Sequence, residues 1–148
     1  MEPTQIIETH SAQETKKIAR NLASQLSGGE VLALYGELGS GKTTFVQGLA
    51  EGLGIKDRVL SPTFVLMRQY DCHIGRFSHI DCYRIDTMEQ AEGLGLEEIF
   101  ADPHAVVAIE WAERVEELLP QNCLRIYFEY GDGNTREVKV LRARSKLR

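Results

Sequence analysis

Four residues at the end of an apolar run have the types and spacing of a phosphate-binding loop. Gly36, Gly41, Lys42 and Thr43 follow the pattern G-x-x-x-x-G-K-[ST] within LALYGELGSGKTTF. In this pattern backbone N–H groups surround a phosphate, the lysine neutralises the outer phosphates and the hydroxyl binds Mg²⁺. The preceding EVLALY predicts a buried strand, and the following TTFVQGLAEGL predicts a helix that ends at Gly54. The sequence therefore predicts a phosphate site between a strand and a helix.

Two acids lie at the ends of other predicted strands. Asp81 ends FSHID, and Glu110 ends AVVAIE. A site that hydrolyses nucleoside triphosphates needs such an acid near the loop, to hold Mg²⁺ directly or through water. Each acid is alternatively a solvated carboxylate where a strand leaves the core. Glu110 follows the more apolar strand, whereas Asp81 has the residue type usual for direct magnesium coordination, so both remain candidates.

The segment Ser61–Thr63 and the single tryptophan each have two interpretations. Ser-Pro-Thr is a turn by composition. It is alternatively a switch loop, in which the Thr63 hydroxyl reaches the γ-phosphate or its metal. Trp111 directly follows Glu110, so strand alternation predicts that the two side chains lie on opposite sides. Trp111 is then a core residue, unless it lies near the nucleotide.

The remaining pattern predicts a mixed α/β fold. Ser11 and Glu14 form a capping box at the start of a helix. TFVLMRQY with RFSHIDCYRI, and CLRIYFEY with TREVKVLR, predict two antiparallel hairpins, while AVVAIEW predicts a second buried strand. TMEQAEGLGLEEIF predicts a weak helix broken at Gly93 and Gly95, and AERVEELL a short helix that ends at Pro120. We expect a central sheet with antiparallel strands at its side.

Length and composition favour one globular domain over residues 1–148. The chain has 148 residues, of which 43% are hydrophobic, enough for a proper core. No apolar run approaches the roughly 18 residues that span a membrane, and MEPTQIIETH does not have the pattern of a signal peptide. Three cysteines without C-x-x-C spacing are typical of a reducing compartment. We expect a cytoplasmic protein.

The charge is distributed unevenly along the chain. Residues 136–148 hold six of the 17 Lys and Arg but only one of the 22 Asp and Glu. The rest of the chain is therefore acidic and poorly suited to binding nucleic-acid phosphates. The basic tail, about residues 142–148, is either a solvated chain end or a contact for RNA or an acidic partner.

Other site classes receive less support from the residues. A small GTPase would carry Asn-Lys-x-Asp, which the chain lacks. A small-molecule kinase needs an arginine-rich lid, and Arg68, Arg76 and Arg84 lie in no recognisable lid segment. The kinase and a nucleotide-dependent binding module with negligible hydrolysis remain alternatives. A zinc site is disfavoured, because the adjacent Cys72 and His73 would face opposite sides of a strand.

Five segments of the chain, in their order and spacing, resemble the bacterial TsaE family: GELGSGKTTFVQGLAEGLGI, SPTFVLMRQY, HIDCYR, LGLEEIF and IEWAER. The resemblance covers about residues 8–140. It implies a P-loop NTPase-like sheet, with a parallel core and antiparallel flanking strands, covered by helices. It also implies an Mg²⁺-dependent ATPase in the pathway that makes threonylcarbamoyladenosine on tRNA. The implied partner is the TsaD–TsaB pair, in which TsaD transfers the threonylcarbamoyl group and ATP turnover resets the complex. Contact with tRNA would come only through that complex.

The same resemblance implies roles for individual residues. Lys42 would contact the outer phosphates, Thr43 and Glu110 the metal, and Asp81 would support hydrolysis. Thr63 would lie in a switch-like loop, and Trp111 would be part of a mobile cover. The segment around Thr9 and Ser11 would lie near the adenine. The implied nucleotide-binding residues are Gly36, Glu37, Leu38, Gly39, Ser40, Gly41, Lys42, Thr43, Thr44, Trp111 and Thr9; the catalytic residues are Asp81, Glu110, Lys42 and Thr63; the metal ligands are Thr43, Glu110 and Asp81.

Overall fold

The computed structural model describes residues 4–37, 41–57, 59 and 66–142. The strands are β1 Thr4–Thr9, β2 Val31–Tyr35, β3 Met67–Asp71, β4 Arg76–Asp81, β5 Ala105–Glu110, β6 Leu124–Tyr130 and β7 Arg136–Leu141. The helices are α1 Ala12–Ala23, α2 Lys42–Gly52, α3 Met88–Glu92, α4 Leu96–Phe100 and a 3₁₀ helix, Ala112–Leu118. No helix in these ranges is long and apolar enough to cross a bilayer. The predicted site residues Leu38, Gly39, Ser40 and Thr63 lie outside the described residues, as do residues 143–148 of the basic tail.

The seven strands form one mixed sheet in the order β1-β7-β6-β2-β5-β4-β3. The four central strands β6, β2, β5 and β4 are parallel, whereas β7 and β1 on one side and β3 on the other are antiparallel. Strand β5 is buried along its whole length, as expected for a parallel strand covered on both faces. This arrangement confirms the predicted α/β fold with a parallel core and antiparallel flanking strands.

Each face of the sheet is covered by its own hydrophobic cluster. On β5, Val106 and Ala108 belong to the cluster that contains residues of α1 and α2, whereas Val107 and Ile109 belong to the cluster with α3, α4 and the 3₁₀ helix. Successive side chains of a strand alternate between the faces. Glu110 therefore continues the set that faces α2, the helix predicted to follow the phosphate loop.

The carboxyl ends of the central strands place the predicted site at one edge of the sheet. In the parallel ladder, Glu110 of β5 pairs with Asp81 of β4 on one side and with Leu34 of β2 on the other. The glycine-rich loop begins two residues after Leu34, at Gly36. Ligands of open α/β sheets bind at this edge, because the loops that follow parallel strands converge there.

Two strand predictions differ from the structure. Strand β4 ends at Asp81 and does not continue to Ile85, because Ile85 N donates to the Cys82 carbonyl at 3.0 Å and closes a turn directly after the strand. The strand therefore turns as soon as it passes the sheet edge. Strand β1 was not predicted, since the strand with which it pairs, β7, lies more than 120 residues away along the chain.

Two helix predictions are also corrected in detail. Ser11 caps α1 by accepting from Glu14 N at 3.2 Å. The Glu14 carboxylate, however, accepts from His10 N at 2.8 Å and not from Ser11 N, so the capping box is not reciprocal. The predicted helix before Pro120 is a 3₁₀ helix, interrupted by Val115 with φ −130° and ψ 25°.

Helices α1 and α2 pack closely because α2 carries a glycine where the helices meet. A Cβ atom on Gly48 would lie 2.5 Å from the Lys16 carbonyl oxygen and 2.7 Å from Lys16 Cα. A Cβ atom on Gly52, one turn later, would lie 2.6 Å from Ala23 Cβ. Glycine inside a helix costs about 1 kcal/mol relative to alanine. The close helix contact offsets this cost and brings the start of α1 beside the start of α2.

We predict that Gly48→Ala lowers the free energy of unfolding by about 1–3 kcal/mol, since the added methyl group forces the two helices apart. Urea unfolding followed by circular dichroism measures the change. Gly93→Ala is the control, because the nearest atom to a Cβ there is 3.5 Å away. An unchanged or raised stability of the Gly48 variant would contradict the close packing.

Candidate active site at the carboxyl edge of the sheet

The glycine-rich loop leaves β2 and enters α2 through backbone conformations that favour glycine. Gly36 has φ 149°, and Gly41 has φ 111° at the N-cap of α2. Gly41 has no side chain with which to cap the helix, and its carbonyl accepts from Phe45 N at 2.9 Å. The first-turn residues Thr43 and Thr44 are half-buried. A glycine loop that opens a helix presents backbone N–H groups and a positive dipole end to an anion.

The ammonium group of Lys42 is enclosed at this helix start. Lys42 is only 4% exposed. Its Nζ donates to the Gly36 carbonyl oxygen at 2.6 Å and lies 4.5 Å from the centre of the Trp111 ring. An aromatic face attracts a cation through its quadrupole. The lysine predicted to contact phosphate is therefore held at the mouth of the loop between a carbonyl and an indole.

Trp111 lies at the turn that directly follows β5 and has contacts on two sides. Its backbone is left-handed, with φ 58° and ψ 43°. The side chain packs against the cluster on the face opposite α2, as alternation predicts, but the ring also reaches Lys42 across the sheet edge. The ring can reach Lys42 because β5 ends at Glu110 and the chain turns at the next residue.

The two predicted acids lie together at the sheet edge. Asp81 is 3% exposed and Glu110 is 5% exposed, and they are direct neighbours in the parallel ladder. Asp81 Oδ1 accepts from Tyr83 N at 2.8 Å, and Glu110 Oε2 lies 2.6 Å from His79 Nε2. Neither acid is the solvated carboxylate of the alternative interpretation. Within the described ranges, no three His, Cys, Asp or Glu side chains cluster so as to hold a metal by themselves.

Arg114 connects the turn after β4 with the turn after β5. Its guanidinium lies 5.6 Å from the centre of the Tyr83 ring and 5.8 Å from that of Trp111, and Nη1 donates to the Ile85 carbonyl at 3.1 Å. The two rings are 4.9 Å apart. Sequence reasoning gave Arg114 no role, although IEWAER contains it, because nothing local indicates that the two turns meet.

A cavity of about 340 Å³ lies beside the start of α2; it is lined by His10, Ser11, Ala12, Thr15, Gly41, Thr44, Asn134 and Arg136. Thr9 does not line it. Thr9 is 1% exposed, and its Oγ1 lies 3.0 Å from Thr15 Oγ1. The lining residues after 130 were not predicted, since they reach this place only through the pairing of β7 with β1.

A second polar cluster anchors the 3₁₀ helix to the strand before the loop. Tyr35 Oη donates to Glu116 Oε1, and Arg125 Nη2 donates to Glu116 Oε2, both at 2.6 Å. Burial and the contact with Glu116 raise the pKa of Tyr35. Partial burial acts to raise the pKa of the Glu116 carboxyl, but the hydrogen bonds from Tyr35 and Arg125 outweigh it and lower that pKa. The cluster therefore favours ionised Glu116 and ties the segment after Trp111 to β2.

We predict that Glu116→Gln lowers the free energy of unfolding at pH 7 by about 0.5–1 kcal/mol, because it removes the charge of the Glu116–Arg125 ion pair, which is partly exposed. A lowered carboxyl pKa contributes stability that is present above the unfolded value, 4.5, and is lost as the pH falls through the folded value. The difference in the free energy of unfolding between wild type and variant should therefore shrink below about pH 4.5. Urea unfolding at pH 7 and pH 3 measures it, with the exposed neighbour changed in Glu117→Gln as the control. If the difference in the free energy of unfolding is the same at pH 7 and pH 3, ionised Glu116 does not stabilise the fold in the way proposed.

Comparison with known proteins identifies the family. The sequence model described as "Threonylcarbamoyl adenosine biosynthesis protein TsaE" matches residues 9–138. The chain is 42% identical over 130 residues to the "tRNA threonylcarbamoyladenosine biosynthesis protein TsaE" of Bacillus subtilis, covering 88% of this chain and 80% of that protein. It is 37% identical to the protein of the same name from Aquifex aeolicus, covering 89% and 92%. The crystal structure of YdiB from Bacillus subtilis superposes with a TM-score of 0.79 at 34% identity, covering 97% of this chain and 88% of that one. The chain belongs to the TsaE family.

Proposed function

We propose that this protein binds ATP with Mg²⁺ and hydrolyses it, as a subunit needed to form threonylcarbamoyladenosine on tRNA. Membership of the TsaE family supports the pathway. The observation that supports the nucleotide chemistry is that one buried lysine, Lys42, and two buried acids lie at the same edge of the sheet. Glu110 is the ladder neighbour of Asp81, and the next residue, Trp111, contacts Lys42.

The triphosphate would bind at the start of α2. Phosphate oxygens would replace the Gly36 carbonyl as acceptors for Lys42 Nζ, which now donates to it at 2.6 Å. A phosphate offers full negative charge to the ammonium of a lysine that is only 4% exposed, and such charge-assisted bonds are about twice as strong as neutral ones. The helix dipole acts in the same direction. This explains why the pattern needs a lysine at position 42.

The residues at the edge fit a magnesium site. The Thr43 hydroxyl and the carboxylates of Asp81 and Glu110 are hard oxygen donors, which Mg²⁺ prefers, and it normally binds through one or two carboxylates plus substrate phosphates. When bound, Mg²⁺ would neutralise charge on the phosphate oxygens. We propose that Thr43 and the two acids hold it directly or through water. The absence of an all-protein metal cluster among the described residues is consistent with a site completed by phosphate.

The reaction consumes one water for each ATP. The water oxygen bonds to the γ-phosphorus while the bond from that phosphorus to the β–γ bridging oxygen breaks, giving ADP, phosphate and a proton. Asp81 would orient the water, as the acid whose Oδ1 is already fixed by Tyr83 N. Lys42 would stabilise charge on the γ-phosphate. Thr63 remains a proposed switch residue, and Trp111 with Tyr83 would limit the access of other water molecules.

The cavity beside α2 is our proposed place for the adenosine. It adjoins Thr44 in the first turn of α2, so a nucleotide with its phosphates on the loop would extend into it. Thr9 would act through Thr15, which lines the cavity and bonds to Thr9 at 3.0 Å. Arg136 offers a planar cation to a base, and its guanidinium already lies 4.5 Å from the Tyr130 ring centre.

We propose that the hydrolysis serves a partner. The acidic body is ill suited to holding tRNA by its phosphates. Docking onto the TsaD–TsaB pair, with turnover resetting that complex between rounds, gives the ATPase a function without direct tRNA binding. The turns that carry Trp111 and Tyr83 adjoin the proposed phosphate site, so loss of the γ-phosphate would change their contacts.

We predict that Lys42→Ala abolishes tight ATP binding while the fold stays intact, because the triphosphate loses its enclosed cation. Calorimetry measures affinity, and circular dichroism reports the fold. Trp111 fluorescence should respond to ATP in the wild type and not in the variant, since the ring lies 4.5 Å from Lys42 Nζ. Lys17→Ala on the exposed side of α1 is the control. Unchanged ATP affinity after Lys42→Ala would remove the loop from the site.

A phosphate-release assay with and without the TsaD–TsaB pair tests the proposed function. We expect weak turnover alone, and loss of at least ten-fold in Asp81→Ala and in Glu110→Ala, where each factor of ten is about 1.4 kcal/mol of barrier. Glu97→Ala, an exposed acid on α4, is the control. Full activity in either variant would exclude that acid from the site.

The same assay separates the alternative function. A phosphorylated acceptor in place of free phosphate would indicate a kinase. Formation of the modified nucleoside over many rounds without this protein would overturn its role.

A further inference from the structure

One buried polar contact at the site involves His79, a residue with no proposed contact to substrate. His79 is 0% exposed, and its Nε2 lies 2.6 Å from Glu110 Oε2. The other ring nitrogen, Nδ1, is also buried and has no hydrogen-bond partner among the described residues. A neutral imidazole has one donor and one acceptor nitrogen. The Nε2–H tautomer satisfies both observations best, because it donates to the carboxylate and leaves no buried N–H unpaired.

The sheet geometry directs this ring at Glu110. His79 lies two residues before Asp81, so both side chains occupy the same face of β4. Its direct ladder neighbour is Ala108, two residues before Glu110. The small alanine leaves space for the imidazole to reach the diagonal neighbour, which long side chains can do in a sheet.

The His79 ring also packs against Phe77 in the core. The rings of Phe77 and His79 are stacked, with centres 6.3 Å apart and an angle of 25° between the planes, and Phe77 is 0% exposed. The imidazole therefore has little freedom to turn away from the carboxylate. Its position is set by packing before any ligand binds.

The stability of the fold alone does not require the His79–Glu110 pair. Burying a carboxylate and an imidazole with one nitrogen unpaired costs free energy, and replacing buried polar pairs by apolar residues is often neutral or stabilising. A precise carboxylate orientation is, by contrast, what a magnesium–phosphate site requires. Groups that hydrogen-bond to metal ligands commonly change metal affinity or activity by 10–100-fold when removed.

We propose that His79 is a positioning residue, which fixes the Glu110 carboxylate through Oε2 so that Oε1 serves the nucleotide-bound magnesium. The inference rests on the proposed function. His79 touches neither nucleotide nor metal; it acts only through Glu110. A merely structural histidine would change stability without changing how strongly Mg²⁺ supports nucleotide binding.

The test compares His79→Leu and His79→Gln with wild type by calorimetry, using a non-hydrolysable ATP analogue with Mg²⁺ and with EDTA. We expect His79→Leu to leave the affinity in EDTA within about two-fold, because Lys42 and the loop are untouched. The gain in affinity on adding Mg²⁺ should fall ten-fold or more. His79→Gln should recover part of the gain, since its amide N–H can donate in place of Nε2. Ser78→Ala is the control, because the Ser78 hydroxyl bonds to Gln69, away from the site.

A double-mutant cycle keeps the proposal testable if His79→Leu does not fold. If His79 acts through Glu110, the losses of His79→Gln and Glu110→Gln in the Mg²⁺-dependent affinity are not additive. Additive losses, or a Mg²⁺-dependent gain unchanged in the His79 variants, overturn the inference and leave the ATPase proposal standing. A wild-type protein with no Mg²⁺-dependent nucleotide binding overturns the proposed function, and the inference with it.

Discussion

The enclosed ammonium of Lys42 is the interaction on which the site depends. A buried charge is costly unless other groups compensate it. Here a carbonyl oxygen at 2.6 Å and an indole face at 4.5 Å surround the charge. Both are weaker partners than a phosphate, so the arrangement stabilises the cation while leaving free energy to be gained from an anion. The left-handed turns at Gly36 and Gly41 place the lysine there.

The parallel ladder places the two acids side by side at the same edge of the sheet. Parallel strands end at a common edge, so Asp81 and Glu110 are adjacent although they are 29 positions apart in the sequence. Each carboxylate is fixed by a different partner, Tyr83 N in one case and His79 Nε2 in the other. Cation and acids are thus held by separate elements that meet only at the sheet edge. Such preorganisation suits the proposed phosphoryl transfer, because the groups would not need to reorganise during the reaction.

Two side-chain clusters connect the turns around the site to the rigid sheet. Arg114 joins the turns that carry Tyr83 and Trp111, and the Tyr35–Glu116–Arg125 cluster ties the next segment to β2 and β6. The contacts of Arg114 with the rings are longer and less directional than those of Glu116. The turn at Trp111 therefore has a firm anchor on one side and a more adaptable contact on the other, which suits the proposed role of Trp111 in covering the nucleotide.

Much of this protein follows from its sequence alone, and the rest depends on contacts between distant segments. Residues 36–43 identify the loop because its spacing reflects local backbone chemistry, and the continuous apolar runs of β2 and β5 predict two buried strands. Glycines at 93 and 95 correctly predict the break between α3 and α4. The left-handed turn of Trp111, the hydrogen bond from His79 to Glu110, and the cavity formed by α1, α2 and the β6–β7 turn were not predictable in this way. Local sequence determines where strands and loops begin, but register, packing and the meeting of strand ends determine which side chains touch.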